Sequence, residues 1–141
     1  MKRAATAFAL LMSLWTAPAN ASPLEGVWTG AYICGQGETG VRLTIEDGAA
    51  PNELIATFRF LPVETNPDVP DGVFIMRGAY EPSGAVALRG DHWIVRPVDY
   101  EMVDLIGRVE RDASGDAVMQ GQVHFPPAPE LCTIFRMTQA K

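Results

Sequence analysis

The chain has 141 residues, with 11 basic against 17 acidic side chains, and a formal net charge of −6. That balance argues against nucleic acid or an anionic lipid surface as partner, since both select clustered positive charge. The length bounds the fold to one domain.

Lys2 and Arg3 open the chain, and Ala4 to Ala17 is apolar apart from Thr and Ser. Pro18 and then Ala19-Asn20-Ala21 complete the grammar of a secretory signal peptide over residues 1–21. The apolar run is shorter than the roughly 20 residues that span a bilayer, so no membrane insertion is expected. No Cys follows it immediately, so a lipoprotein anchor is not expected. Residues 22–141 then form the mature domain, whose nine basic and 17 acidic residues give a net −8. The expected location is the periplasm or the medium outside a bacterial cell.

The mature sequence reads as eight short β-runs, at 27–34, 41–46, 53–61, 72–80, 85–89, 101–110, 117–125 and 132–138, with no helix. Val41, Leu43 and Ile45 alternate with Arg42, Thr44 and Glu46. Val103, Leu105 and Val109 oppose Asp104, Arg108 and Glu110, and Met119, Val123 and Phe125 oppose Gln120, Gln122 and His124. Period-two alternation with one polar face is what an antiparallel sheet with one buried side requires. Turn formers separate the runs at Asp47-Gly48, Pro82-Ser83-Gly84 and Ala113 to Asp116. The pattern predicts an all-β domain: an eight-stranded antiparallel up-and-down barrel, with a β-sandwich as the alternative. Two longer connections, 62–71 and 90–99, are the expected places for binding.

Cys34 and Cys132 are the only cysteines. In an exported chain they predict one disulfide, here between the first and last strands. Closing a loop of about 100 residues stabilises by about 4.7 kcal/mol in the chain-entropy account. With Cys34 opposite Cys132, Gly30 would face Arg136, and Trp28 would lie diagonal to Arg136 on the same face. A stacked contact between Trp28 and Arg136 is therefore expected.

Gly26-Val27-Trp28 in an opening strand and Arg136 in a closing one resemble the signature of the calycin superfamily of lipocalins, avidins and bacterial metalloprotease inhibitors. Tyr32-Ile33-Cys34 with a late Cys is also similar to the exported lysozyme-inhibitor family of Gram-negative bacteria. The inhibitory serine-glycine and threonine-lysine-glycine loops of that family have no match here. The whole pattern also looks like small exported bacterial β-modules of unassigned activity. These likenesses imply a disulfide-stapled barrel that binds a partner.

No nucleophile–base pattern appears among Ser22, Ser83 and Ser114, and two Cys with His92 and His124 lack metal-ligand spacing. No enzyme activity, metal or cofactor is expected. Gly35, Gly37 and Gly40 precede no helix, so they predict no phosphate cradle. The candidate binding residues are His92, Trp93, Arg96 and Tyr100, two aromatics and an Arg in a connection long enough to cover a barrel mouth. The expected function is a binding module that holds a protein partner by its rim loops, as an inhibitor of a cationic hydrolase such as lysozyme. The alternative is a carrier of a small apolar ligand inside the barrel. Inward Phe58, Phe60, Phe74 and Met76 favour the former, because they would fill the lumen.

Overall fold

A computed structural model describes residues 21–141; the expected signal peptide lies outside the described residues, save Ala21. The chain forms eight strands: β1 (Gly26–Cys34), β2 (Gly37–Asp47), β3 (Glu53–Leu61), β4 (Gly72–Tyr80), β5 (Ala85–Val95), β6 (Asp104–Arg111), β7 (Ala117–His124) and β8 (Ile134–Gln139). Each pairs antiparallel with the next, and β8 returns to β1, closing an up-and-down barrel. The only helical element among the described residues is a 3₁₀ turn at Pro129–Leu131. None of their helices is long and apolar enough to cross a membrane.

The alternation read from sequence decides which side chains fill the barrel. Leu43 and Ile45 of β2, Phe58 and Phe60 of β3, and Phe74 and Met76 of β4 point inward and are fully buried. Trp28, Leu88, Leu105, Met119, Phe135 and Met137 complete the interior from the other strands. Phe58 stacks on Phe74 with centroids 4.6 Å apart, and Tyr32 meets Phe58 edge-on at 5.5 Å. The lumen is therefore a packed core.

Closing so small a barrel requires sharply coiled strands, and glycines permit the coiling. A Cβ on Gly30 would sit 1.9 Å from the Arg136 carbonyl oxygen, and one on Gly78 would sit 1.8 Å from that of Ala87. No other residue type allows neighbouring backbones to approach so closely.

Cys34 and Cys132 are bonded, but Cys132 precedes β8, so the disulfide ties β1 to the segment leading into β8. The register differs from the expected one by a single residue. Ala31 faces Arg136, Gly30 faces Met137 and Tyr32 faces Phe135. A one-residue slip exchanges the two faces of a strand. Trp28 is consequently inside, with no exposed surface, while Arg136 lies on the outer wall. The expected Trp28–Arg136 contact is absent. Trp28 instead donates its Nε1 hydrogen to the Leu24 carbonyl, 2.8 Å away. The reason lies in β8 itself: Phe135 and Met137 must face the core, and that places Ile134 and Arg136 outside.

A second correction concerns 90–99, expected as a loop. β5 continues through Val95, interrupted by two bulges against β4. Gly90 pairs with Met76 and His92 with Ile75, leaving Asp91 extra; Trp93 pairs with Phe74 and Val95 with Val73, leaving Ile94 extra. Each bulge re-phases the strand by one position, which erases the alternation that marks a strand in sequence.

Candidate binding face at the disulfide end

The eight strands deliver two unlike sets of connections. One end of the barrel carries the 22–25 segment that leads into β1 and the tight turns at 48–52, 81–84 and 112–116. The other carries the disulfide, the Gly35-Gln36 turn and the connections 62–71, 96–103 and 125–133. Asn66 fastens the 62–71 loop by donating from Nδ2 to the Gln36 and Glu38 carbonyls, at 2.6 and 3.0 Å.

Between β5 and β6 the ladder stops at Leu88–Leu105. Beyond it the Gly90 amide donates to the Asp104 carboxylate at 3.0 Å, and the 96–103 segment folds over the opening. Tyr100 stacks on Phe60 with centroids 5.1 Å apart, and Trp93 packs edge-on against Phe74 at 5.2 Å. Trp93 and Tyr100 thus close the barrel mouth as aromatic plugs. Arg96 binds this segment together. Its guanidinium lies 5.9 Å from the Trp93 centroid, its Nε donates to the Tyr100 carbonyl at 3.1 Å, and it pairs with Glu101. The Trp93 Nε1–H is buried and has no acceptor.

The four candidate residues do not converge. Trp93, Arg96 and Tyr100 form one unit, whereas His92 lies on the outer wall, exposed, bonded to Asp91 at 2.5 Å. Hydrogen bonding from His92 holds the Asp91 carboxyl below the usual range, helped by His92 charge and by Arg77 at 3.6 Å.

Beside the aromatic plug lies a cleft of about 260 Å³, lined chiefly by Tyr32, Gln36, Tyr100, Glu101, Phe125 and Leu131, with the disulfide as part of its wall. The Tyr32 hydroxyl accepts from Gln36 Nε2 at 3.2 Å. Burial raises the Tyr32 pKa well above its ordinary value, and the neighbouring Tyr100 adds to the rise. At the rim, Asp99 takes a left-handed conformation, φ 64°, and joins no ion pair among the described residues. Tyr32, Gln36, Phe125 and Leu131 carry no local sequence signal of a site; only the closure of the barrel brings them together.

Two surface properties coincide at this end. The exposed large apolar side chains among the described residues are Ile33, Ile94, Val95, Val98, Ile106, Leu131 and Ile134. All lie on its connections or on the half of a strand nearest it. Val98, on the 96–103 segment, is 85% exposed. The same connections carry Glu64, Asp68, Asp71, Asp99, Glu101 and Glu130; Asp71 pairs with Arg59 of β3 at 3.4 Å and Glu101 with Arg96, while Glu64, Asp68, Asp99 and Glu130 join no ion pair among the described residues. No group of three or more His, Cys, Asp or Glu residues among the described ones is placed to hold a metal ion. Set against family models, curated proteins and solved structures, the chain matches none of them.

Proposed function

We propose that this chain is an exported, non-enzymatic binding protein that holds a cationic protein partner by the loops of its disulfide end. In this reading it inhibits a cationic hydrolase such as lysozyme. The observation that carries it is the coincidence of exposed apolar side chains and uncompensated carboxylates on one end. Apolar side chains in contact supply the core of a protein interface, and the acidic rim steers a cationic partner to it. The packed lumen favours the rim over the interior as the place of binding. The disulfide is compatible with an exported chain.

The closed eight-stranded barrel opened by Gly26-Val27-Trp28 keeps the likeness to calycins as part of this proposal. Arg136, on the outer wall, does not contribute to it. The cleft of about 260 Å³ favours a second reading, a small amphipathic ligand held beside Tyr100, although it lies just below the usual ligand-pocket range of roughly 300–1,000 Å³.

Calorimetric titration of hen lysozyme into the purified protein, at low and at physiological salt, tests the first reading. Binding that weakens with salt and slows cell-wall hydrolysis is expected. Absence of binding at low salt rejects lysozyme as the partner. Native mass spectrometry showing a retained small molecule would favour the cleft reading.

A further inference from the structure

Ser22 is unusually well held for a residue ahead of the first strand. It is 8% exposed, whereas Ala21 before it is exposed. Its backbone nitrogen donates to Asp47 Oδ2 at 2.8 Å, joining residue 22 to the last residue of β2. Its carbonyl accepts from the Glu25 amide at 3.2 Å. Its hydroxyl is buried, and with the backbone N–H of the same residue it holds the Asp47 carboxyl below the usual range. The segment that follows is pinned from two sides. Gln139 Nε2 donates to the Pro23 and Glu25 carbonyls at 3.2 and 3.0 Å, and Trp28 donates to that of Leu24. The position of Ser22 is thus set by the closed barrel.

The slot around it holds the carboxylates of Asp47 and Glu53, with Gly48, Asn52 and Tyr80, and no basic side chain. Glu53 is occupied by the Ala50 amide at 2.9 Å. Asp47 joins no ion pair among the described residues. An exposed carboxylate aimed at the nitrogen of a buried residue, with no cation nearby, is complementary to an ammonium group at that nitrogen.

We propose that this slot is the seat of a processed N-terminus: cleavage between Ala21 and Ser22 creates an α-ammonium that pairs with Asp47 and latches the chain start to the β2–β3 turn. Hydrolysis breaks the Ala21–Ser22 amide. Water gives its hydroxyl to the Ala21 carbonyl carbon and a proton to the Ser22 nitrogen, which takes a second proton from solvent at neutral pH. One amide donor becomes three donors with a full charge. The buried Ser22 hydroxyl acts on the same carboxylate. This inference rests on export with cleavage after Ala21 and is independent of what the disulfide end binds.

The test uses the full chain with a protease recognition sequence inserted directly before Ser22, melted before and after cleavage. Cleavage is expected to raise the midpoint by about 1–4 °C, the size of an ion pair with one exposed partner. A parallel chain cut to begin at Ala21, whose ammonium lies one residue outside the slot, should gain little. Asp47→Asn should abolish the gain in the Ser22-start chain. Equal midpoints for the Ser22-start and Ala21-start chains, or a gain that survives Asp47→Asn, would overturn the seat. Intact mass of the protein from a bacterial envelope addresses export separately. A chain beginning at Ser22 supports the proposal, and one beginning elsewhere removes processing at this bond whatever the melting shows.

Discussion

The two ends of this barrel are built from the same strands and do opposite things with their edges. At the hairpin end the turns satisfy themselves. Asp112 accepts from the Ser114 and Asp116 amides at 2.9 and 3.0 Å, Arg108 caps the Ser83 carbonyl at 2.7 Å, and Lys141 pairs with Asp116 at 2.9 Å. Leu24 folds inward just before β1, buried, with its carbonyl held by Trp28. No large exposed apolar side chain lies there among the described residues. At the disulfide end the ladder between β5 and β6 stops early, aromatic plugs replace strand pairing, and apolar side chains and carboxylates are left facing water. Under the proposed function, the difference separates stability from recognition. One end is finished by its own hydrogen bonds, and the other is held by a covalent staple, which frees its surface chemistry from structural duty.

If that division holds, the largest loss of stability should come from the closed end. Trp28→Ala removes a fully buried ring and its bond to Leu24, and should cost about 3–5 kcal/mol in urea unfolding. A loss under about 1 kcal/mol would mean the hairpin end is not the rigid part. Next in size is reduction of Cys34–Cys132, expected to cost about 2–5 kcal/mol. Hydrogen exchange should show which end feels it. Protection should fall first in 125–133 and the end of β1, with the turns at 48–52 and 112–116 unchanged. Uniform loss across the barrel would erase the contrast.

The sequence reading placed β3 and β4 at their observed bounds, because both run between strong turn formers with unbroken alternation. It lost β5 after Arg89, where the bulges at Asp91 and Ile94 invert the parity twice within five residues. With that strand went the placement of His92, read as a loop residue and found on the outer wall. The one-residue error at the β1–β8 seam has a different origin. The cysteine pair suggests one register, but a disulfide just outside a ladder does not fix which residues oppose each other. Phe135 and Met137, alternating with Ile134 and Arg136, already specified the face. The site was only half legible. Trp93, Arg96 and Tyr100 form a unit as their residue types suggested, but the cleft joins positions from 32 to 132, a juxtaposition set by closure alone.

Tyr32 offers a smaller effect that reports on the disulfide end by itself. Its hydroxyl is buried in the cleft wall, so its folded pKa stands well above the ordinary value of about 10. The unfolded chain loses this proton near pH 10 while the folded chain keeps it, so stability falls as pH rises past 10. This group contributes a fall of about 1 kcal/mol between pH 10 and 11. Tyr32→Phe should flatten that part of the profile. An unchanged slope in the variant would mean that the hydroxyl is open to water and the cleft wall is loose.

The smallest stability effect carries the sharpest functional contrast. Glu64→Gln with Asp68→Asn alters exposed carboxylates on the 62–71 connection and should leave unfolding within about 0.5 kcal/mol of the parent. Under the proposed function the same pair should slow association with a cationic protein on the order of fivefold at low salt, since rim charges act mainly on the encounter rate. The matching double change at the hairpin end, Glu46→Gln with Glu81→Gln, should leave association unaffected. Salt separates this from a loss of direct contact: the parent and the rim variant should converge as ionic strength rises and the Debye length shrinks to a few Å. Equal slowing by changes at both ends would show that the net charge of the whole molecule does the steering, and the distinction between the ends would then concern stability alone.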